Sequence, residues 1–161
     1  MSETRAQMSW LSAAQVYLQP RVLAMLFLGF SAGLPFALVA GTLAAWLTRS
    51  GVSMSGVGMF AWVGILYAFK FAWAPLVDQV SIPVLTTALG RRRSWMLLAQ
   101  IGVAGALLGM AALGPTDNLA LFALLAVFVA FSSATQDIAV DAWRIEAVGT
   151  ELQGGMAASY Q

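Results

Sequence analysis

The sequence predicts an all-α integral membrane protein with four membrane-spanning helices and the start of a fifth, on three observations. Hydrophobic residues make up 60% of the 161-residue chain, charged residues only 9%, and the mean hydropathy is +0.82. Four segments are long and apolar enough to cross hydrocarbon, and the basic residues of the connections fall on one side, with Arg49 alone on the other. A soluble domain averages about 25% charged residues. The shortage of charge, more than the excess of apolar residues, points to a lipid bilayer as the solvent.

Taken in order, residues 1–21 read as an N-terminal tail. It carries Glu3 and Arg5 and holds no apolar run before Pro20, so it does not resemble a cleaved signal. Ser9–Leu18 fits either a short interfacial helix with Trp10, Leu11, Ala14 and Leu18 on one face, or an unstructured tail. A bilayer core of about 30 Å needs roughly 20 helical residues. The first span is expected over 22–47, free of charge between Arg21 and Arg49, and the second over 57–77, where Lys70 is the one charge. The third, 95–113, is uncharged, and the fourth, 119–143, carries Asp137 and Asp141 near its end. After Gly149-Thr150-Glu151 the chain turns small and apolar again, so a fifth helix begins near 153 and residues 22–161 form one helix bundle.

Arg5 and Arg21 precede the first span, Arg91, Arg92 and Arg93 lie between the second and third, and Arg144 follows the fourth. By the positive-inside rule these ends are cytoplasmic, the N-terminus included. In the first span Gly29 and Gly33 share a face that admits another helix, and Pro35 removes a backbone donor near mid-membrane. Gly33 and Pro35 fit either tight packing or a bendable helix along a transport path. Gly105 and Gly109 give the third span a similar small-residue face.

The chain has no Cys and no His, which removes disulfides, thiolate chemistry and the commonest metal ligand and general base. No cofactor and no metal site is expected. Arg91–Arg93 is the single basic cluster, too short for a nucleic-acid surface. An ionisable group within a span costs about 2.5–3.5 kcal/mol on insertion scales, so each needs a reason. Asp137 and Asp141 share one face of the fourth helix, with Gln136 beside them. Lys70 fits pairing with either aspartate, meeting an anionic substrate, or snorkelling to the headgroups. Asp141 fits a structural partnership with the Arg91–Arg93 loop, and Asp137, one turn deeper, fits a transport path equally with a structural role. Proton carriage by Asp137 follows from its burial and pairing.

Asp78 and Gly90-Arg91-Arg92-Arg93 then make a pattern that resembles the loop between helices two and three of the major facilitator superfamily. Eleven residues separate Asp78 from Gly90, so the usual tight turn is not expected. Five strings are similar to the AmpG-type muropeptide permeases of that superfamily. They are Gly29 to Pro35, Gly41-Thr42-Leu43 with Ala45-Trp46-Leu47, Phe69 to Leu76, Gly90 to Trp95, and Ser133 to Trp143. The related acetyl-CoA transporters share the Trp-Ala-Pro, Gly-Arg-Arg and Gln-Asp-Ile-Ala-Val-Asp strings. The permease resemblance implies proton-driven import of anhydromuropeptides, small amphiphilic sugar–peptides, across the bacterial inner membrane for wall recycling. Carried onto this chain, it makes Asp78, Gly90, Arg91, Arg92, Arg93 and Arg144, with Asp141, candidates for a cytoplasmic gate.

A facilitator has two six-helix halves, so this sequence reads as the N-terminal part of one, without its C-terminal half. An acetyl-CoA-type or other amphiphilic-anion transporter is the alternative within the same class. A membrane enzyme is disfavoured, since no Asp or Glu other than Asp117 lies between Asp78 and Asp137. A membrane protein that only packs on a partner is the remaining rival, and the glycine faces suit it equally.

Overall fold

The computed structural model describes residues 15–160, and the regular elements among them are all helical. The interfacial helix considered over Ser9–Leu18 falls mostly on residues outside that range.

The first apolar segment is a continuous rod, Pro20–Arg49, made of α1 (Pro20–Ala37), a π-helical turn (Leu38–Thr42) and α2 (Leu43–Arg49). Pro20 opens it where a missing N–H is tolerated. Val22, Met25, Gly29, Ala32 and Pro35 are buried, a stripe at three- and four-residue spacing that faces the bundle. Pro35 deprives the Ser31 carbonyl of its donor. The irregularity expected around it takes the form of the π turn just beyond, where the Leu43 N–H reaches the Leu38 carbonyl.

The second apolar segment is not the single rod expected over 57–77. It runs as α3 (Met54–Ala61), a 3-10 turn (Trp62–Gly64), α4 (Ile65–Ala68), a second 3-10 turn (Lys70–Ala72) and α5 (Ala74–Gln79). Ser53 caps its start, accepting from the Gly56 N–H at 3.2 Å. The break around Lys70 has a cause in the sequence. Pro75 cannot donate to the Phe71 carbonyl, and Phe69 leaves the α region at φ −90, ψ 4. Laid end to end, Met54 to Gln79 still reaches roughly 39 Å at 1.5 Å per residue.

Two further long apolar helices, α7 (Arg91–Leu113) and α8 (Leu119–Ala147), pack along each other. Between α5 and α7 a short helix, α6 (Leu85–Leu89), takes the place of a tight turn and packs on α7. Trp95 Nε1 donates to the Val80 carbonyl at 2.9 Å, and Thr86 Oγ1 accepts from the Ile82 N–H at 2.8 Å, so the excursion is pinned at both ends. Gly90, at φ +82, supplies the left-handed residue that turns α6 into α7. The α7–α8 contact uses Gly102 and Gly109, where an added methyl would meet Ser132 Oγ at 2.6 Å and Leu125 Cδ1 at 3.3 Å. Gly105, expected to share that seam with Gly109, meets nothing within 4 Å.

Helix α8 is the centre of the bundle. Ser132 through Gln136 are all buried, because α1, α5, α7 and the last helix, α9 (Gln153–Tyr160), surround it. One apolar cluster joins Leu43, Leu47, Phe60, Val63 and Phe122; a second joins Val22, Met25, Val77, Met96, Ile138 and Met156. The polar residues of α8 lie between them.

Gly29 and Gly33, expected to act together, play different parts. A methyl at Gly29 would stand 2.8 Å from the Tyr160 carbonyl oxygen, whereas one at Gly33 meets nothing within 4 Å. Backbone cannot yield as a side-chain tip does. Gly29→Ala is therefore expected to lower the stability of the solubilised protein by about 1–3 kcal/mol, and Gly33→Ala to leave it near the parent. Equal melting temperatures for the two variants would remove the argument that α9 is seated by Gly29.

Candidate transport site

The polar layer is built from the break in the second segment and from one face of α8. Asp137 and Asp141 stand one turn apart on α8, and Lys70 projects toward them from its 3-10 turn. Lys70 Nζ is 3.6 Å from Asp137 Oδ2 and 3.6 Å from Asp141 Oδ2. One ammonium is shared between two carboxylates at ion-pair rather than hydrogen-bond distance. The Asp137 side chain is 18% exposed, against 36% for Asp141 and 34% for Lys70. Asp137 is thus the deep member and Asp141 the accessible one.

Arg144 completes the charge balance. Its Nη2 is 3.8 Å from Asp141 Oδ1, and its guanidinium lies 5.7 Å from the centre of the Tyr160 ring. The Tyr160 phenol adjoins Asp137. Two acids and two bases therefore meet where α9 approaches α8, and the cluster is neutral as a unit.

Trp73 locks the break in place. Its Nε1 donates to Thr135 Oγ1 at 3.1 Å, Thr135 donates on to the Phe131 carbonyl at 2.8 Å, and the Trp73 and Phe131 rings lie 5.0 Å apart. This ties the residues just after Lys70 to α8 two residues before Asp137.

Several expectations change with this geometry. Lys70 faces the acidic pair and does not snorkel away from it. Asp141 does not partner the Arg91–Arg93 loop; it pairs with Lys70 and Arg144. Gln136 is buried on another face of α8, where Nε2 donates to Ser31 Oγ at 3.4 Å. It lines a cavity of about 370 Å³ with Ser31, Pro35 and Gln100, apart from the charged cluster. Successive helical residues point about 100° apart, so adjacency to Asp137 in sequence does not carry Gln136 to Lys70.

A second charged junction joins the ends of three helices. Arg92, at the start of α7, donates through Nη1 to Asp78 Oδ1 at the end of α5. Its Nε and Nη2 reach Glu146 Oε1 near the end of α8 at 3.1 and 2.8 Å. Glu146 was not singled out from the sequence. It lies five residues beyond Asp141, about 140° around the helix, and so faces Arg92 where Asp141 cannot. Arg91 and Arg93 are exposed and make no ion pair among the described residues. Arg144, grouped with them by charge, belongs to the Asp141 cluster instead. Arg21 Nη1 donates to the Ala147 carbonyl, which brings the start of α1 to the end of α8 at the same level.

No three His, Cys, Asp or Glu side chains converge on a metal-sized site among the described residues. What the arrangement offers is a compensated charge cluster in an apolar bundle, held by a 3-10 turn, with an ion-paired junction beyond it.

Comparison with known proteins fits this architecture. The acetyl-coenzyme A transporter 1 family model matches residues 21–119. The anhydromuropeptide permease of Escherichia coli (strain K12) is 43% identical over 144 residues, which cover 89% of this chain and 28% of that protein. A putative transporter, AmpG 4, of Rickettsia conorii (strain ATCC VR-613 / Malish 7) is 35% identical over 139 residues, 86% of this chain and 33% of the relative. The chain thus spans a third or less of the length of these relatives. No solved structure matches. With a family model aligned over more than half of its length, the chain belongs to the acetyl-coenzyme A transporter 1 family, as a multi-pass membrane protein similar to the AmpG permeases.

Proposed function

We propose that this chain is part of a secondary transporter of major facilitator type that imports anhydromuropeptides across the inner membrane by proton symport, with its N-terminus cytoplasmic. The observation that carries the reading is the Lys70 ammonium shared by Asp137 and Asp141 inside the bundle. A substrate carboxylate that draws Lys70 toward itself leaves Asp137 uncompensated in a low-dielectric layer. A carboxylate in that position takes a proton rather than remain charged. Substrate arrival and proton uptake then become one event, which is what symport requires. Arg92, with Asp78 and Glu146, acts in this reading as a gate on the cytoplasmic side, holding α5, α7 and α8 together until the bundle rocks.

The test is uptake of labelled anhydromuropeptide into vesicles carrying the full-length protein, with and without a proton ionophore, for the parent and for Asp137→Asn. Uptake is expected to fall at least tenfold with ionophore in the parent and to lose that dependence in Asp137→Asn. Undiminished ionophore sensitivity in Asp137→Asn would remove Asp137 from the proton path. The family model favours a second substrate, acetyl-CoA, whose phosphates would meet Lys70 in the same way. Labelled acetyl-CoA, taken up where the muropeptide is not, would select it.

A further inference from the structure

The charged cluster does not end at Asp137. One turn deeper on the same face of α8 stands Ser133, so Ser133, Asp137 and Asp141 form a line at i, i+4 and i+8. Facing Ser133 from α4 is Tyr67, one turn before Lys70. Ser133 is fully buried, and neither its Oγ nor the buried Tyr67 hydroxyl has a hydrogen-bond partner among the described residues. Two adjacent buried hydroxyls with no partner are uncommon in a native interior, where nearly all such atoms are satisfied by protein or by ordered water. The two hydroxyls come within reach of each other without meeting at hydrogen-bonding geometry.

Tyr67 also has a second side. It lines a cavity of about 480 Å³ between the first and second apolar segments, together with Phe36, Val39, Ala40, Val57 and Phe60. Phe36 meets the Tyr67 ring edge-on, with centroids 5.0 Å apart. Val39 and Ala40 belong to the π turn, so the widened part of the first rod forms a wall of this cavity. The rest of the wall is apolar, and apolar cavities do not hold water by themselves. Tyr67 is the one polar side chain there, placed between the cavity and the Ser133–Asp137 line.

We propose that Tyr67 and Ser133 hold ordered water between them, and that this hydrated pair is the inner end of a polar path joining Asp137 to the cavity at the π turn. A bridging water finds here the two hydroxyls and the neighbouring Asp137 carboxylate, within the two to four polar partners that buried water ordinarily has. The ligand is water, and through it the proton. The inference rests on the proton-path reading for its purpose but not for its geometry, since hydration of the pair is measurable without transport.

The chain contains no Cys, so a single introduced thiol is the sole target in it for a small hydrophilic methanethiosulfonate. Thiols react as thiolates, which need water around them. In membranes carrying the 161-residue chain, Ser133→Cys is expected to react at least tenfold faster than Ala130→Cys, a buried position at similar depth in the apolar cluster. Because a variant could alter packing, the unaltered chain supplies a second readout by radiolytic labelling in ¹⁸O water. Tyr67 is expected to take up label well above the fully buried Phe122. Slow labelling at Ser133→Cys together with background label at Tyr67 overturns the proposal. Fast labelling, with uptake by the full-length protein indifferent to ionophore, keeps the water site and rejects its use in proton transport.

Discussion

Lys70→Met is expected to abolish substrate uptake by the full-length protein and to destabilise it, and Asp137→Asn added to it is expected to restore much of the stability but not the uptake. The single substitution removes the cation from between two carboxylates and leaves both facing an apolar bundle. Breaking a buried ion pair costs about 3–5 kcal/mol, because the remaining charge has lost its compensation. Lys70 and Asp141 each keep about a third of their side-chain surface exposed, so a loss of about 1–3 kcal/mol is the better expectation. Neutralising Asp137 removes the more deeply buried charge and leaves Asp141 with Arg144. Replacing a whole pair by neutral groups is often harmless where breaking it is not. Thermal unfolding of the single and double variants in detergent measures the coupling as a double-mutant cycle. A Lys70→Met protein as stable as the parent, with no coupling to Asp137, would show that the observed ion pair does not contribute.

The sequence made this site legible because charge is scarce in it. With 9% charged residues, Lys70, Asp137 and Asp141 stood out individually, and helical periodicity placed the two aspartates together. What periodicity could not say is which neighbouring element each side chain meets. Adjacency groups Gln136 with Asp137, yet it faces Ser31; Glu146 carries no sequence signal that would single it out, yet it is the partner of Arg92. The second segment shows another limit. Its composition announces an apolar rod, whereas Pro75 and the non-α backbone at Phe69 break it where Lys70 is needed. Pro75 was visible, but the position of the break depends on Trp73 finding Thr135 on α8, a contact 62 residues away in sequence. Tyr67 gives no signal and Ser133 enters only as the start of a longer string, since a hydroxyl in an apolar run reads as a tolerated polar group until its lack of partners is seen in three dimensions.

Arg92 is the second residue whose loss is expected to have a large effect, and the comparison with its neighbours isolates the reason. Its guanidinium is 14% exposed and serves two acids at once, Asp78 through Nη1 and Glu146 through Nε and Nη2. These contacts join α5, α7 and α8, which are otherwise held at this level by apolar packing around Val77 and Met96. Asp78 and Glu146 are about half exposed, so either can return to water when the arginine is removed. The expected cost of Arg92→Ala is therefore about 1–3 kcal/mol, the range of charge-assisted hydrogen bonds rather than that of a sealed ion pair. Arg92→Lys is expected to recover less than half of it, because a single ammonium cannot reproduce three donors in a plane. Arg93→Ala, at an exposed position with no ion pair among the described residues, is expected to lie within about 0.5 kcal/mol of the parent. Salt supplies a further check. The junction is reached by solvent from the acid side, and at 1 M salt the screening length falls to about 3 Å, so the Arg92→Ala deficit should shrink. A deficit equal for Arg92→Ala and Arg93→Ala, and indifferent to salt, would mean that positive charge at this membrane end matters in general and that the three-helix junction does not.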